Sequence, residues 1–311
     1  MNLFEWKYNV WLFVGVLLSC FAVSAGVRYQ QFETWEKTPQ AYFVGEQPMM
    51  TTLDAPYWIR WAREYNEGVY REKNGLSVVL ALKTIVQMLR AYPEGTEVYN
   101  EKMSVPEKFK DLPAGAKLDG HEGVAPTAPA VPTVSIRYRD VPLLSFLIAH
   151  LTPFFNNNYY LAGTLLIPVL ASLFILPLGI YFFRIGVPLS GLLGGLIGTF
   201  AGGYYMRSSI GRIDTDMLNL FFPALAGLLI LLAGKTKMER GILLYALLAG
   251  LSLFLFQWWY GKAGFTLAYF MVLVFSLFVQ RICFRTILVG AFLFVLCTQP
   301  TTFMSGTGAV Q

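Results

Sequence analysis

Residues 159–183 read YYLAGTLLIPVLASLFILPLGIYFF, 25 positions without one charged side chain. About 20 apolar residues in a helix cross the hydrocarbon core of a bilayer, so this run is predicted to span a membrane. Working outward, further apolar stretches cover residues 186–205, 217–233, 241–258, 264–280 and 286–298. On the N-terminal side the run from Val10 to Ala25 is read as a retained first helix. The alternative is a cleaved signal peptide: Val23-Ser24-Ala25 has the small-residue cleavage pattern, but Glu5 makes the leader less basic than such peptides usually are. Together these runs predict an all-α, polytopic membrane protein with about seven transmembrane helices. Composition agrees: 55% of residues are hydrophobic, 14% are charged and the mean hydropathy is +0.51. A soluble chain carries about 25% charged residues.

The connections between the later runs set an expected orientation. Arg184 lies in one, Lys235, Lys237 and Arg240 in the next but one, and Arg281 and Arg285 in the next but one again. Alternate connections share a side, and basic residues concentrate on the cytoplasmic side. The N-terminus is then cytoplasmic, and the polar stretches at 26–158, 206–216 and 259–263 and the tail lie outside. The same rule accounts for the net charge of +5, so no nucleic-acid partner is expected. The chain divides into a first transmembrane helix (1–25), a long first outer loop (26–158), a transmembrane helical domain (159–298) and an outer tail (299–311). Within the outer loop, Leu76 to Tyr92 has the pattern of a membrane-surface helix, and Ser104 to Thr133 is a Pro/Ala/Gly-rich connection. Gly191, Gly194, Gly195 and Gly198 recur at helical spacing and predict close helix packing. Cys20, Cys283 and Cys297 sit in apolar surroundings without metal-ligand spacing and read as packing residues.

Ionisable groups at a membrane boundary are costly and point to function. Asp54 stands just before Pro56, with Trp58, Trp61 and Tyr65 following at spacings of three and four. It reads as a helix N-cap ahead of an aromatic face for the membrane interface, or as a functional carboxylate. Asp214-Thr215-Asp216 places two carboxylates between two apolar runs. Such a pair suits a hard divalent cation shared with a phosphate, or Asp216 caps the helix that starts near Met217. Arg207 and Arg212, on the expected outer side, either pair with these aspartates and bind an anion, or extend their heads from a helix end.

The string YYMRSSIGRIDTDML at 204–218 resembles the second acidic motif of the oligosaccharyltransferase catalytic subunits, in which an arginine stands seven residues before the Asp-Thr-Asp. Asp54, in the loop after the first helix, is similar to the family's first acidic motif. Gln257-Trp258-Trp259-Tyr260 and Phe265-Thr266-Leu267 resemble the end of its fifth helix and the start of its sixth. The resemblance implies a GT-C-like arrangement and transfer of a glycan from a lipid-linked pyrophosphate donor to the asparagine amide of Asn-X-Ser/Thr acceptors. It further implies Mn²⁺ or Mg²⁺ held by Asp54, Asp214 and Asp216, with Asp54 also a partner of the acceptor amide. Arg207 would hold the acidic cluster in place. The site would face the outside of the plasma (inner) membrane, the periplasmic side in bacteria.

Two departures accompany the resemblance. The family has about thirteen membrane helices, a later glutamate-bearing outer loop and a soluble domain with a Trp-Trp-Asp-Tyr-Gly motif. Trp258-Trp259-Tyr260-Gly261 lacks that motif's aspartate, and residues 299–311 contain no acid, so the chain is expected to be an N-terminal portion or truncated member. The outer loop also looks expanded. Two other classes stay open at this stage: another enzyme using lipid-phosphate sugars, and a non-catalytic transporter or assembly partner. A transporter would be expected to carry ionisable groups near the bilayer midplane, and apart from His150 the predicted spans hold none.

Overall fold

The structure, a computed structural model, describes residues 10–67, 141–260 and 264–298. The predicted surface helix at Leu76 to Tyr92, the Pro/Ala/Gly-rich stretch and the tail lie outside the described residues. What is described is mostly helical, with one short two-stranded hairpin.

Helix α1 (Val10–Lys37) continues well past Ala25 and ends just before Pro39. Its buried residues, Phe13, Leu17, Cys20, Ser24, Arg28 and Phe32, recur every three or four positions. One stripe therefore faces the bundle over the whole length, although the composition turns polar halfway. Then come α2 (Pro39–Tyr42) and the hairpin β1 (Phe43–Val44) and β2 (Gln47–Pro48), paired antiparallel. Helix α3 (Ala55–Asn66) follows Asp54.

Helix α4 (Leu143–Leu151) corrects the sequence reading, which left the chain polar up to Asn158. Leu143, Leu144, Ser145, Phe146, Ile148 and Ala149 are all buried in it. At nine residues it is too short to register as a span, yet it is core. It also receives α3. Ala55, Ile59 and Ala62 form its buried apolar face, and the Ser145 hydroxyl donates to the Trp58 carbonyl at 2.8 Å. The aromatic face expected at the membrane interface is turned inward: Trp58, Trp61 and Tyr65 pack on the main core, and Tyr65 meets Phe146 edge-on at 5.7 Å.

A 3₁₀ turn (Thr152–Phe155) leads through Asn156 and Asn157, both in the left-handed region, to Asn158. The Asn158 carboxamide oxygen caps α5 (Tyr159–Ser172) by accepting from the Leu161 amide at 3.0 Å. The 159–183 run is helical, but it breaks at Leu173–Phe174 before resuming as α6 (Ile175–Ile185). Pro177 explains the break, because it offers no amide to the Leu173 carbonyl and its ring crowds that group.

Gly186, with φ +93, turns the chain into α7 (Pro188–Phe200), which returns along α6. A Cβ at Gly191 would stand 2.6 Å from Phe182 and 3.1 Å from Gly179, and one at Gly195 would be 3.2 Å from Ile175. Close packing therefore holds for these two glycines, whereas Gly194 faces open space. Short α8 (Gly202–Arg207), a loop and a second 3₁₀ turn (Thr215–Leu218) precede α9 (Phe221–Lys235), α10 (Glu239–Trp259), α11 (Phe265–Val279) and α12 (Phe284–Thr298).

The main core joins α3, α4, α5 and α9 to α12. A smaller one, with Phe13, Leu17, Cys20, Phe174, Ile175 and Leu192, joins α1 to α6 and α7. Among the described residues, Val10–Lys37, Tyr159–Ile185, Thr215–Lys235 and Glu239–Trp259 are long and apolar enough to cross a membrane. Pro188–Phe200, Phe265–Val279 and Phe284–Thr298, where spans were expected, are apolar but shorter, as is Leu143–Phe155. Trp11, Ile197, Phe275, Phe278 and Phe284 are mostly exposed around the outside of the bundle, a surface suited to lipid rather than water. The chain is a multi-pass membrane protein.

Two contacts gather the basic connections at one end of the bundle. The Lys235 ammonium donates to the Arg184 carbonyl, and the Thr286 hydroxyl donates to Glu239 at 3.0 Å. All the aspartates of interest lie at the other end, where α9 starts and α10 finishes.

Candidate functional site: an acidic loop between α8 and α9

The loop from Ser208 to Asp214 reverses direction at Gly211, whose φ is +79. A side chain there would be costly twice over. The left-handed conformation disfavours it, and a Cβ would fall 2.5 Å from the Trp35 ring and 2.9 Å from the Met49 carbonyl. Gly211 is thus the point where the end of α1 and the strand leading to Asp54 press on the acidic loop. The Thr51 amide donates to the Gly211 carbonyl at 3.0 Å, and the Ile210 amide donates to the Gln31 side chain at 3.4 Å. These contacts carry Asp54 to Asp214 and Asp216 across roughly 160 residues of chain.

The three carboxylates are held differently. Asp214 caps the 3₁₀ turn, its Oδ1 accepting from the Thr215 amide at 2.6 Å. The capping role expected for Asp216 therefore belongs to Asp214. Burial pushes the Asp214 carboxyl up from its ordinary value, opposed by the Thr215 amide bond; the negative charges of Asp216 and Asp54 push it further up, and Arg212 pulls it down. Asp216 accepts from the Arg207 guanidinium at 3.3 Å through Oδ2 and from the Asn219 carboxamide at 3.2 Å through Oδ1. Asp54 is exposed and occupies the N-cap position of α3, but its side chain makes no capping hydrogen bond. Its carboxylate remains available for something other than the helix.

Arg207, at the end of α8, has a side chain 64% exposed, so its pair with Asp216 lies open to solvent and adds little stability by itself. Arg212 makes no ion pair among the described residues, and its Nε is buried without a partner. Asp54, Asp214 and Asp216 are electrostatic neighbours, yet among the described residues no group of three acidic, histidine or cysteine side chains is close enough to hold a metal ion.

Several residues to which the sequence reading gave no role at the site set this geometry. The Tyr204 hydroxyl shares its proton between the carbonyls of Ala171 at 2.8 Å and Met217 at 2.9 Å, joining α8 to α5 and to the 3₁₀ turn after the loop. Trp259, at the end of α10, donates its indole N–H to the Thr215 carbonyl at 2.5 Å, and Trp258 donates to Val141 at 2.7 Å. The tryptophan pair thus pins the acidic turn and the start of α4. Arg28 of α1 grips Ser208, the residue directly after Arg207, at 3.0 and 2.9 Å. A lone arginine three residues beyond an apolar run was a signal in the sequence; its partners were not.

A family profile described as "Oligosaccharyl transferase STT3, N-terminal" matches residues 140–307, more than half of the chain. The match includes Arg207, Asp214 and Asp216, while Asp54 lies before it. No curated protein matches the sequence.

Proposed function

Because the chain belongs to the oligosaccharyl transferase STT3 family, a glycosyltransferase family, we propose that it transfers a glycan from a lipid-linked pyrophosphate donor to the side-chain amide of Asn-X-Ser/Thr acceptors. The observation that carries this reading is the meeting at one end of the bundle of an uncommitted carboxylate, Asp54, with the Asp214–Asp216 pair and its arginine. In this reading the chain has a GT-C-like arrangement of about seven membrane helices, the shorter apolar helices among them. The basic end is cytoplasmic, and the acidic end faces outward from the plasma membrane.

An amide nitrogen is a poor nucleophile because its lone pair is delocalised into the carbonyl. A carboxylate that accepts from both amide N–H groups favours rotation of the nitrogen out of conjugation and stabilises the charge that then develops. Asp54 is suited to this task by its exposure and lack of a helix-capping bond. Asp214 and Asp216 supply oxygen atoms only, the donor chemistry of Mn²⁺ or Mg²⁺, which commonly bind one or two carboxylates together with substrate phosphate. The mutual repulsion felt at Asp214 is what a cation would relieve, so the Asp214–Asp216 pair has the donor chemistry for such an ion; Asp54, which does not stand close enough to the pair to make a three-ligand group, would have to move toward it to serve as a third donor. When bound, the ion supplies Lewis-acid stabilisation of the leaving pyrophosphate. Arg207 orients Asp216 and neutralises one of its oxygens.

The test is glycan transfer in membranes of cells lacking their own transferase, with a lipid-linked oligosaccharide, an Asn-X-Thr reporter and Mn²⁺. The chain is supplied alone and with the C-terminal half of a family member. Transfer that vanishes on Asp54→Ala, in a variant that still inserts, supports the assignment. Transfer retained by that variant overturns it. Absence of transfer under both conditions moves the reading to a non-catalytic member of the family.

A further inference from the structure

Arg28 is the bulkiest of the fully buried side chains described, at 0% exposure. It lies 18 positions after Val10 in α1, about 27 Å along the helix at 1.5 Å per residue, which is the rim of a hydrocarbon core. A cation in such a place is costly unless every donor is met. Here every donor is met, and by neutral groups. Nε donates to the Ser208 carbonyl at 3.0 Å. Nη1 donates to the Ser24 carbonyl, the Ser24 hydroxyl and the Thr199 hydroxyl at 3.2, 3.0 and 2.9 Å. Nη2 donates to the Thr199 carbonyl at 3.0 Å and the Ser208 hydroxyl at 2.9 Å. The guanidinium carbon stands 5.8 and 5.2 Å from the ring centroids of Tyr204 and Tyr205, whose faces favour a cation.

The partners come from three places: one turn back along α1, the last turn of α7, and the residue just after α8. Thr199 precedes the Ala201 corner between α7 and α8. Ser208 follows Arg207, and its hydroxyl passes the chain of bonds on to the Tyr204 carbonyl at 2.8 Å. Arg28 therefore holds both ends of α8, the six-residue helix that ends in Arg207. Ser24 extends the network to Ser172 of α5 and to Thr199, both at 2.6 Å. A guanidinium can make this set of bonds because its donors form a rigid planar fork, whereas an ammonium has three donors around one point.

We propose that Arg28 is a positioning residue for glycan transfer: its fork fixes α8 against α1 and α7, and so sets where Arg207 and its partner Asp216 stand. The proposal rests on the function proposed above. Arg28 touches no reacting group. It acts through Ser208 and Thr199, and a displacement on the order of 1 Å at a reacting constellation is enough to cost about 100-fold in rate.

The experiment compares Arg28→Lys, Arg28→Met and Ser208→Ala in the full chain, with two readouts. In the transfer assay Arg28→Lys and Arg28→Met are expected to lose about 10- to 100-fold, Ser208→Ala less, with the loss in kcat rather than in the KM for the acceptor. In amide hydrogen exchange, peptides covering 202–219 are expected to exchange faster while those of α9 and α10 keep wild-type rates. Wild-type behaviour of Arg28→Lys in both readouts would mean that charge alone suffices, and it overturns the fork. Faster exchange throughout the bundle shows a general structural role and also overturns the proposal. Local loosening with full transfer removes its link to the reaction. If the wild-type chain transfers nothing either alone or with the complementing C-terminal half, the proposed function has failed; local exchange then still reports whether Arg28 clamps α8, and unchanged exchange at 202–219 refutes that as well. Ser208→Ala removes a single hydroxyl, so it keeps the test open if either Arg28 variant does not fold.

Discussion

The two segments that bring carboxylates to the site are held in opposite ways. The 207–219 segment is bonded on every side, by Arg28 from α1, Tyr204 from α8, Trp259 from α10 and its own Asp214 cap. The 49–54 segment is attached through the Met49 and Thr51 amides, which donate to the Tyr42 and Gly211 carbonyls at 2.8 and 3.0 Å, and through Met50 on the main core and the Met49 carbonyl against Gly211. It ends in a 97% exposed Leu53 and an exposed Asp54. One carboxylate pair is fixed by its surroundings. The third carboxylate stands at the exposed end of an irregular segment, with no side-chain bond of its own to the helix that follows. Under the proposed function, a site that admits a peptide between its acids is well served by fixing one wall and leaving the other able to adjust.

Removing the fixed wall is expected to have the largest effect. Asp214→Ala with Asp216→Ala should lower transfer by more than about 10³-fold, the scale seen when members of a catalytic unit are lost, while the chain still inserts. Asp54→Asn should lower transfer by about 100-fold yet leave the thermal midpoint nearly unchanged. Asp54 makes no capping bond, and an exposed substitution of that kind stays within about 0.5 kcal/mol. A large drop in the midpoint for this variant would mean that the loosely held segment is structural after all.

The contact between the two walls can be broken at one atom. Gly211→Ala adds a methyl group against Trp35 and Met49, and it should destabilise the protein by roughly 1–3 kcal/mol and reduce transfer. Gly186→Ala, which also has a positive φ but faces open space, should cost only about 1 kcal/mol of backbone strain and leave transfer intact. Equal effects of the two on transfer would show that backbone conformation, not the Gly211 contact, matters. Trp259→Phe should cost about 1–3 kcal/mol for the unpaired Thr215 carbonyl, read as a lower midpoint with faster exchange at 215–218.

The smallest effect expected is on pH dependence. Burial raises the Asp214 carboxyl in the folded chain, so between the ordinary aspartate value of about 3.9 and the raised one the folded state binds more protons than the unfolded state. Stability should therefore increase as pH falls through that window and be lost as pH rises through it. Asp214→Asn should flatten this slope in melting curves taken from pH 4 upward. An unchanged slope would place the titrating group elsewhere.

How far the site was legible can be judged residue by residue. Arg207, Asp214 and Asp216 stood out because their spacing is local and lies in one unbroken string. Asp54 was visible as a residue, but its nearness to the pair depends on a Thr51–Gly211 bond between segments far apart in the chain. The capping role expected of Asp216 falls to Asp214 because a 3₁₀ turn begins at Thr215, two residues before the position that periodicity suggested. Helix α4 was missed because a nine-residue apolar segment satisfies no span length, and its burial comes entirely from neighbours. The aromatic residues of α3 were assigned to the membrane interface on the same local ground, when α4 was there to cover them.

By itself the sequence determined that the chain is helical, crosses a membrane several times and carries an acidic motif of one recognisable family. Each of these properties resides in consecutive residues: a run of about 20 apolar side chains, alternating basic connections, an arginine at fixed distance from an Asp-Thr-Asp. The tertiary structure alone decided which neutral groups satisfy Arg28, which end of the bundle collects Asp54 with Asp214 and Asp216, and which loop Gly211 must admit. Those outcomes are set by hydrogen bonds and close contacts between residues up to about 180 positions apart. Their energies depend on distance in space, which no local pattern encodes.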